Sequence, residues 1–129
     1  MRTRAEVKTE TAEARDSRVL TRATLRAAEL LDVSQSTLAR ILGVSAATVT
    51  RMRQEAYRLD PQRKEWELAL LFVRLFRSLD SIVGGREAHA KAWLHSDNRA
   101  LANKPIDLIL KVSGLVQVVN YLDASRGRA

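Results

Sequence analysis

Six side chains between Ser45 and Gln54 have the chemistry that reads base edges. Arg51 can offer its guanidinium to O6 and N7 of guanine together, and Gln54 suits adenine. Ala46 and Ala47 suit the methyl group of thymine, and Ser45 and Thr50 can bond bases or nearby phosphates. Gln35, Ser36, Arg40, Arg53 and Arg58 are of the kinds that grip phosphates, which sets register without reading sequence. Taken singly, each is equally well explained as solvated surface. Catalytic candidates are scarcer. His89 and His95 are the only histidines, no carboxylates stand beside them at metal-ligand spacing, and a histidine near a helix C-terminus commonly serves the helix dipole. There is no glycine-rich phosphate loop, and no serine has an elbow or a lysine partner. The expectation is a non-enzyme that needs no metal and no cofactor.

The elements that must position these residues are written in the same stretch. Ser34 can cap a first helix and Ser45 a second, each accepting from the free amides of a first turn. Gly43 fits a left-handed residue ending the first helix, where a side chain would be strained. Leu38, Leu42, Val44, Val49 and Met52 supply a buried seam, and Ala39 is small where the second helix must cross closely. Three residues between the helices give the turn of a helix-turn-helix, which presents its second helix to a major groove. The competing explanation is an αα-hairpin that only packs, but it requires none of these residues in register.

Helical signals dominate the chain. They predict helices over 21–31, 35–42, 46–56, 61–83, 86–94, 105–111 and 115–125, with no strand alternation, hence an all-α fold. Asp60 and Pro61 read as N-cap and first helical residue, Gly84 and Gly85 as a helix end, and Pro105 and Gly114 as punctuation of the last third. Residues 1–19 form a polar arm with alternating charge, 20–60 the helix-turn-helix domain, and 61–129 a second helical domain. Within the latter, Glu65–Val83 is apolar nearly all round. It is the core helix of that domain, a dimer interface, or both. Paired half-sites one helical turn apart favour a homodimer.

Bulk composition agrees. The 129 residues carry a net charge of +7 and no cysteine, so a polyanionic partner is favoured and disulfides or cysteine-ligated metals are excluded. The charge is spread evenly, +3 over 1–60 and +4 over 61–129, which places no DNA surface. It also argues against a structural DNA coat with a concentrated basic stripe. The longest apolar run, Leu68 to Val73, is far short of the roughly 20 residues that cross a bilayer, and the N-terminus has no secretory pattern. A cytoplasmic protein without a membrane partner is expected.

Past Gly85 the order Trp93-Leu94, Asn98, Ala100-Leu101, Pro105, Asp107-Leu108, Gly114 and Gly127 resembles the Xre/MbcA/ParS antitoxin family over about residues 20 to 129. The chain departs from the pattern at Asp97, Asn103 and Lys111, where proline, glycine and threonine are usual. The resemblance implies a helix-turn-helix joined to a C-terminal toxin-binding domain, with a RES-domain, NAD-targeting toxin from the same operon as partner. It further implies autorepression through operator DNA, and inhibition by covering the toxin's active site. Trp93, Asn98, Leu101, Asp107, Leu122, Arg126, Gly127 and Arg128 are then the toxin-binding candidates, Arg126 and Arg128 because an arginine can occupy a pyrophosphate site. The alternative is a stand-alone or phage-type repressor whose second half only dimerises.

Overall fold

The computed structural model describes residues 10–127. Seven α-helices follow one another, α1 (Ala12–Leu30), α2 (Gln35–Leu42), α3 (Ala46–Arg53), α4 (Lys64–Ile82), α5 (Glu87–His95), α6 (Pro105–Leu108) and α7 (Val112–Arg126), with no strand among the described residues. The expected all-α class holds. Several helix boundaries differ from expectation, α6 for instance ending at Leu108 rather than 111, and four of the differences have a clear physical reason.

The segment 12–19, expected to be part of a polar arm, is the first half of α1; residues 1–9 of that arm lie outside the described residues. Thr11 caps the helix, its Oγ1 accepting from the Ala14 amide at 3.0 Å. Apolar periodicity could not reveal this turn because part of its inward face is hydroxylic: Ser17, Thr21 and Thr24 are buried. Thr21 Oγ1 donates to the Ser17 carbonyl at 2.6 Å and accepts from the Leu59 amide at 3.0 Å. Thr24 Oγ1 donates to the Leu20 carbonyl at 2.7 Å, so burying these hydroxyls leaves no polar group unsatisfied.

Helix α3 stops at Arg53 rather than Ala56, because Glu55 takes a left-handed φ of 59° and the Ala56 amide turns back to the Arg51 carbonyl at 2.8 Å. That geometry is usually glycine's, so the sequence carried no stop signal. Helix α4 starts at Lys64 rather than Pro61. Asp60 Oδ1 accepts from the Gln62 amide at 2.9 Å, closing an Asx turn ahead of the helix. Finally, Gly114 does not punctuate. It lies in the first turn of α7, and a β-carbon there would collide with the Leu108 carbonyl oxygen and come within 3.1 Å of the Leu108 Cα.

Helix α4 is the centre. It packs against α1 and α2 on one side and α7 on another, and Ala69, Phe72, Leu75 and Leu79 are wholly buried. These join Leu31, Leu38 and Leu42 from the N-terminal half and Leu94, Ile109, Leu115 and Leu122 from the C-terminal half in a single core. The burial is not all-round, since Leu70 and Ile82 remain 48% and 43% exposed. Two polar junctions fix the neighbours of α4. At its start the buried Glu65 carboxylate accepts from the Tyr57 hydroxyl at 2.6 Å and the Asp60 amide at 3.0 Å. Further along, Asp123 of α7 accepts from Ser78 Oγ at 2.8 Å and pairs with Arg74.

Two outcomes follow. Gly114→Ala, which in an open helix would stabilise by about 0.5–1 kcal/mol, here forces backbone apart. Urea unfolding is expected to show a loss of about 1–3 kcal/mol; a gain would mean α7 does not press on α6. Tyr57 is pushed up to about 12, first by burial and then by the Glu65 carboxylate. Its neutral form is therefore favoured on folding, and that stability is complete below the unfolded value of about 10 and lost as pH rises toward 12. Wild type should lose more stability than Tyr57→Phe across that window, a difference read by parallel pH melts.

Candidate nucleic-acid interface and partner-binding half

The helix-turn-helix forms as its residues require. Ser34 and Ser45 accept from the amides of Thr37 and Thr48 at 3.2 and 3.0 Å, and each also bonds hydroxyls in its own first turn. Gly43 has φ 71°, and the Val44 amide returns to the Ala39 carbonyl at 3.0 Å. Leu38, Ala39, Leu42, Val49 and Met52 are buried, and Val44 is half-buried.

With Thr48, Val49 and Met52 turned inward, Ala46, Ala47, Arg51, Arg53 and Gln54 form the exposed face of α3, joined by half-exposed Thr50 and by exposed Ser45 at its cap. Arg51 lies back along the helix, its Nη2 donating to Thr48 Oγ1 at 3.1 Å, and Thr48 Oγ1 is 2.9 Å from Ser45 Oγ. Gln35 reaches across from α2, its Nε2 donating to Thr50 Oγ1 and to the Ala46 carbonyl at 3.2 Å. Gln35 and Thr50 thus spend part of their hydrogen-bonding capacity locking α2 to α3, a structural task the sequence reading did not assign them. Ser36 and Arg40 are exposed on α2.

Two cations were missed. Arg63 and Lys64, at the start of α4, share with Ser45, Thr48 and Arg51 an open hollow of about 500 Å3. Reading α4 from Pro61 had placed them inside a helix. The true start sets them on the rim beside α3, and the basic Arg63-Lys64 pair was the available signal. Arg58 is partly neutralised by Glu10 at 3.6 Å. The stronger partner of Glu10 is Arg18, at 3.0 and 3.1 Å, which holds that carboxyl below the usual carboxylate range.

The C-terminal candidates fall into two groups. Leu101 and Leu122 are buried, so their side chains build the core and do not reach a partner's surface in this conformation. Asn98 closes the loop between α5 and α6: its Oδ1 accepts from the Leu101 amide at 3.1 Å, and its amide donates to the Asn103 carbonyl at 3.1 Å. That closure lowers Leu101 into the core, so the motif's polar turn is a device for apolar packing. Trp93 is half-buried and stacks on Tyr121, with ring centroids 6.3 Å apart and an interplanar angle of 17°. Asp107, Arg126 and Gly127 are exposed, and Arg128 lies outside the described residues.

His95 ends α5 and places Nε2 2.9 Å from the Leu31 carbonyl at the C-terminal end of α1. The helix end it serves is α1's, which ties the two halves together; His89 is exposed. Among the described residues no group of three or more histidine, cysteine, aspartate or glutamate side chains could hold a metal ion. No helix among them is long and apolar enough to cross a membrane.

Two family models match. The antitoxin Xre-like helix-turn-helix domain covers residues 10–74, and the antitoxin Xre/MbcA/ParS C-terminal toxin-binding domain covers residues 78–128. No curated protein matches the chain. The first match spans α1 to the middle of α4 and the second runs from late α4 to the end of α7, so the shared core joins two recognised halves. The chain belongs to the Xre/MbcA/ParS-type antitoxins, non-enzymatic proteins with a DNA-binding helix-turn-helix domain followed by a toxin-binding domain.

Proposed function

We propose that this antitoxin neutralises a RES-domain, NAD-targeting toxin encoded in the same operon by covering its active site, and that as a cytoplasmic homodimer it represses that operon. The observation that carries the reading is the toxin-binding match over residues 78–128, which a repressor whose second half only dimerises would not need. The specific toxin class rests on the resemblance of Trp93-Leu94, Pro105 and Asp107-Leu108 to the family pattern.

On the DNA side, Ser45, Ala46, Ala47, Thr50, Arg51 and Gln54 read bases, and Gln35, Ser36, Arg40 and Arg53 hold phosphates. The exposure of the outward α3 face and its freedom from acidic side chains support that assignment. Toward the toxin, Trp93, Asp107, Arg126, Gly127 and Arg128 are the contact candidates, with Asn98, Leu101 and Leu122 shaping the half that presents them. For the dimer, an open channel between α1 and α4 offers Val19, Ala23, Trp66 and Leu70 as apolar lining, with Asp16 among Arg74, Arg77 and Arg126 around it. An exposed apolar strip of this kind suits a two-fold contact with a second copy.

Deleting the whole second half would strip α7 from α4 and unfold the core, so point variants are the better probe. Co-expression with the neighbouring toxin should give full growth and a maintained NAD pool. Arg51→Ala should keep that protection while weakening operator binding by about 1–3 kcal/mol and relaxing one base position. Growth arrest with falling NAD in the presence of the wild-type chain would sink the toxin assignment. An equal loss of affinity on random DNA would sink base reading by Arg51.

A further inference from the structure

We infer that the toxin docks on the uncharged outward face of α7, with Val112 and Val116 as its apolar anchors; this rests on the toxin-neutralising reading and adds the surface that performs it. Charged residues make up 29% of the chain, yet the exposed positions from Val112 to Ala124 are Val112, Ser113, Val116, Gln117, Asn120 and Ala124. None is charged along a strip about 18 Å long at 1.5 Å per residue. The solvent side of an ordinary surface helix is where charge collects. Asp123, the one charged residue within 112–124, is held toward α4 by Ser78 and Arg74.

Val112 and Val116 stand one turn apart and remain 59% and 38% exposed, and Val112 is the most exposed large apolar side chain among the described residues. Neither is needed for the fold, since Leu115, Val118, Val119 and Leu122 already fill the inward face of α7 at 2% exposure or less. Two valines at i and i+4 on an uncharged helix face form the anchor pattern of a helix laid against a partner's groove.

Sequence position and charge favour the toxin over a second copy as the occupant. The strip lies wholly inside the toxin-binding match. It is bracketed by exposed Lys111 at one end and exposed Arg126 at the other. Two copies pairing this face across a two-fold axis would set like against like, Lys111 against Arg126 where the helices run antiparallel and each against its own counterpart where they run parallel. A partner that fits has an apolar and neutral centre with acidic groups near both ends. Docking there also lays the last turn of α7 on the toxin.

The test measures affinity of the full-length chain for the purified cognate toxin, beside growth protection, operator binding, thermal unfolding and oligomeric state. Val112→Glu with Val116→Glu should weaken toxin binding at least 100-fold and abolish protection, with melting, operator binding and oligomeric state as in wild type. The near-isosteric pair Val112→Thr with Val116→Thr, which keeps the shape of both side chains and removes only apolar character, should give a smaller loss in the same direction. Toxin bound by wild type and by the glutamate pair with equal affinity overturns the proposal while leaving the toxin-binding reading intact. A glutamate pair that dissociates the dimer but still binds toxin overturns it in favour of a second copy on this face. A wild-type chain that fails to bind the toxin at all removes both.

Discussion

Everything in this molecule depends on the burial of α4 by its neighbours. A helix with Phe72, Leu75 and Leu79 wholly buried needs apolar cover on more than one side, and that cover comes from α1 and α2 in one direction and α7 in another. Removing either leaves apolar area in water at about 25 cal/mol per Å2, against a net stability of only about 5–15 kcal/mol for a domain. The two recognised halves are therefore not separable modules on a linker. They share a wall. The polar contacts around α4 then set register: Glu65 collects Tyr57 and the Asp60 amide, Asp123 collects Ser78 and Arg74, and His95 joins α5 to the last turn of α1.

The parts legible from sequence were those governed by local chemistry. Ser34, Gly43 and Ser45 act within their own turns, so reading them residue by residue gave the helix-turn-helix with its caps and its left-handed turn. What escaped was set by tertiary context. The start of α1 hides because Ser17, Thr21 and Thr24, rather than an unbroken apolar stripe, face inward. The stop at Glu55 hides because a left-handed glutamate has no sequence signature. Gly114 looked like punctuation, and only the proximity of the Leu108 carbonyl shows that it makes room for backbone.

The candidate site divides the same way. The outward face of α3 follows from helical period alone, so its members could be named in advance. Family resemblance marked Leu101 and Leu122 without saying which way they point, and both turned out to be core. Arg63 and Lys64 went unnoticed because their place beside Arg51 depends on where α4 begins, and that is decided by the Asp60 turn. A motif states which residues a surface is built around. Sidedness comes from packing.

A DNA-binding half and a toxin-binding half built on one core must stand or fall together, and the two tryptophans make that measurable: Trp66 on α4 lies in the helix-turn-helix match, and Trp93 on α5 in the toxin-binding match. Single-tryptophan variants, Trp66→Phe and Trp93→Phe, report each half during thermal unfolding with and without operator duplex. Because a ligand stabilises the whole cooperative unit that it binds, operator DNA should raise the transition seen at Trp93 by as much as that seen at Trp66, in one coincident step. Two separate transitions, or a shift at Trp66 with none at Trp93, would contradict a shared core.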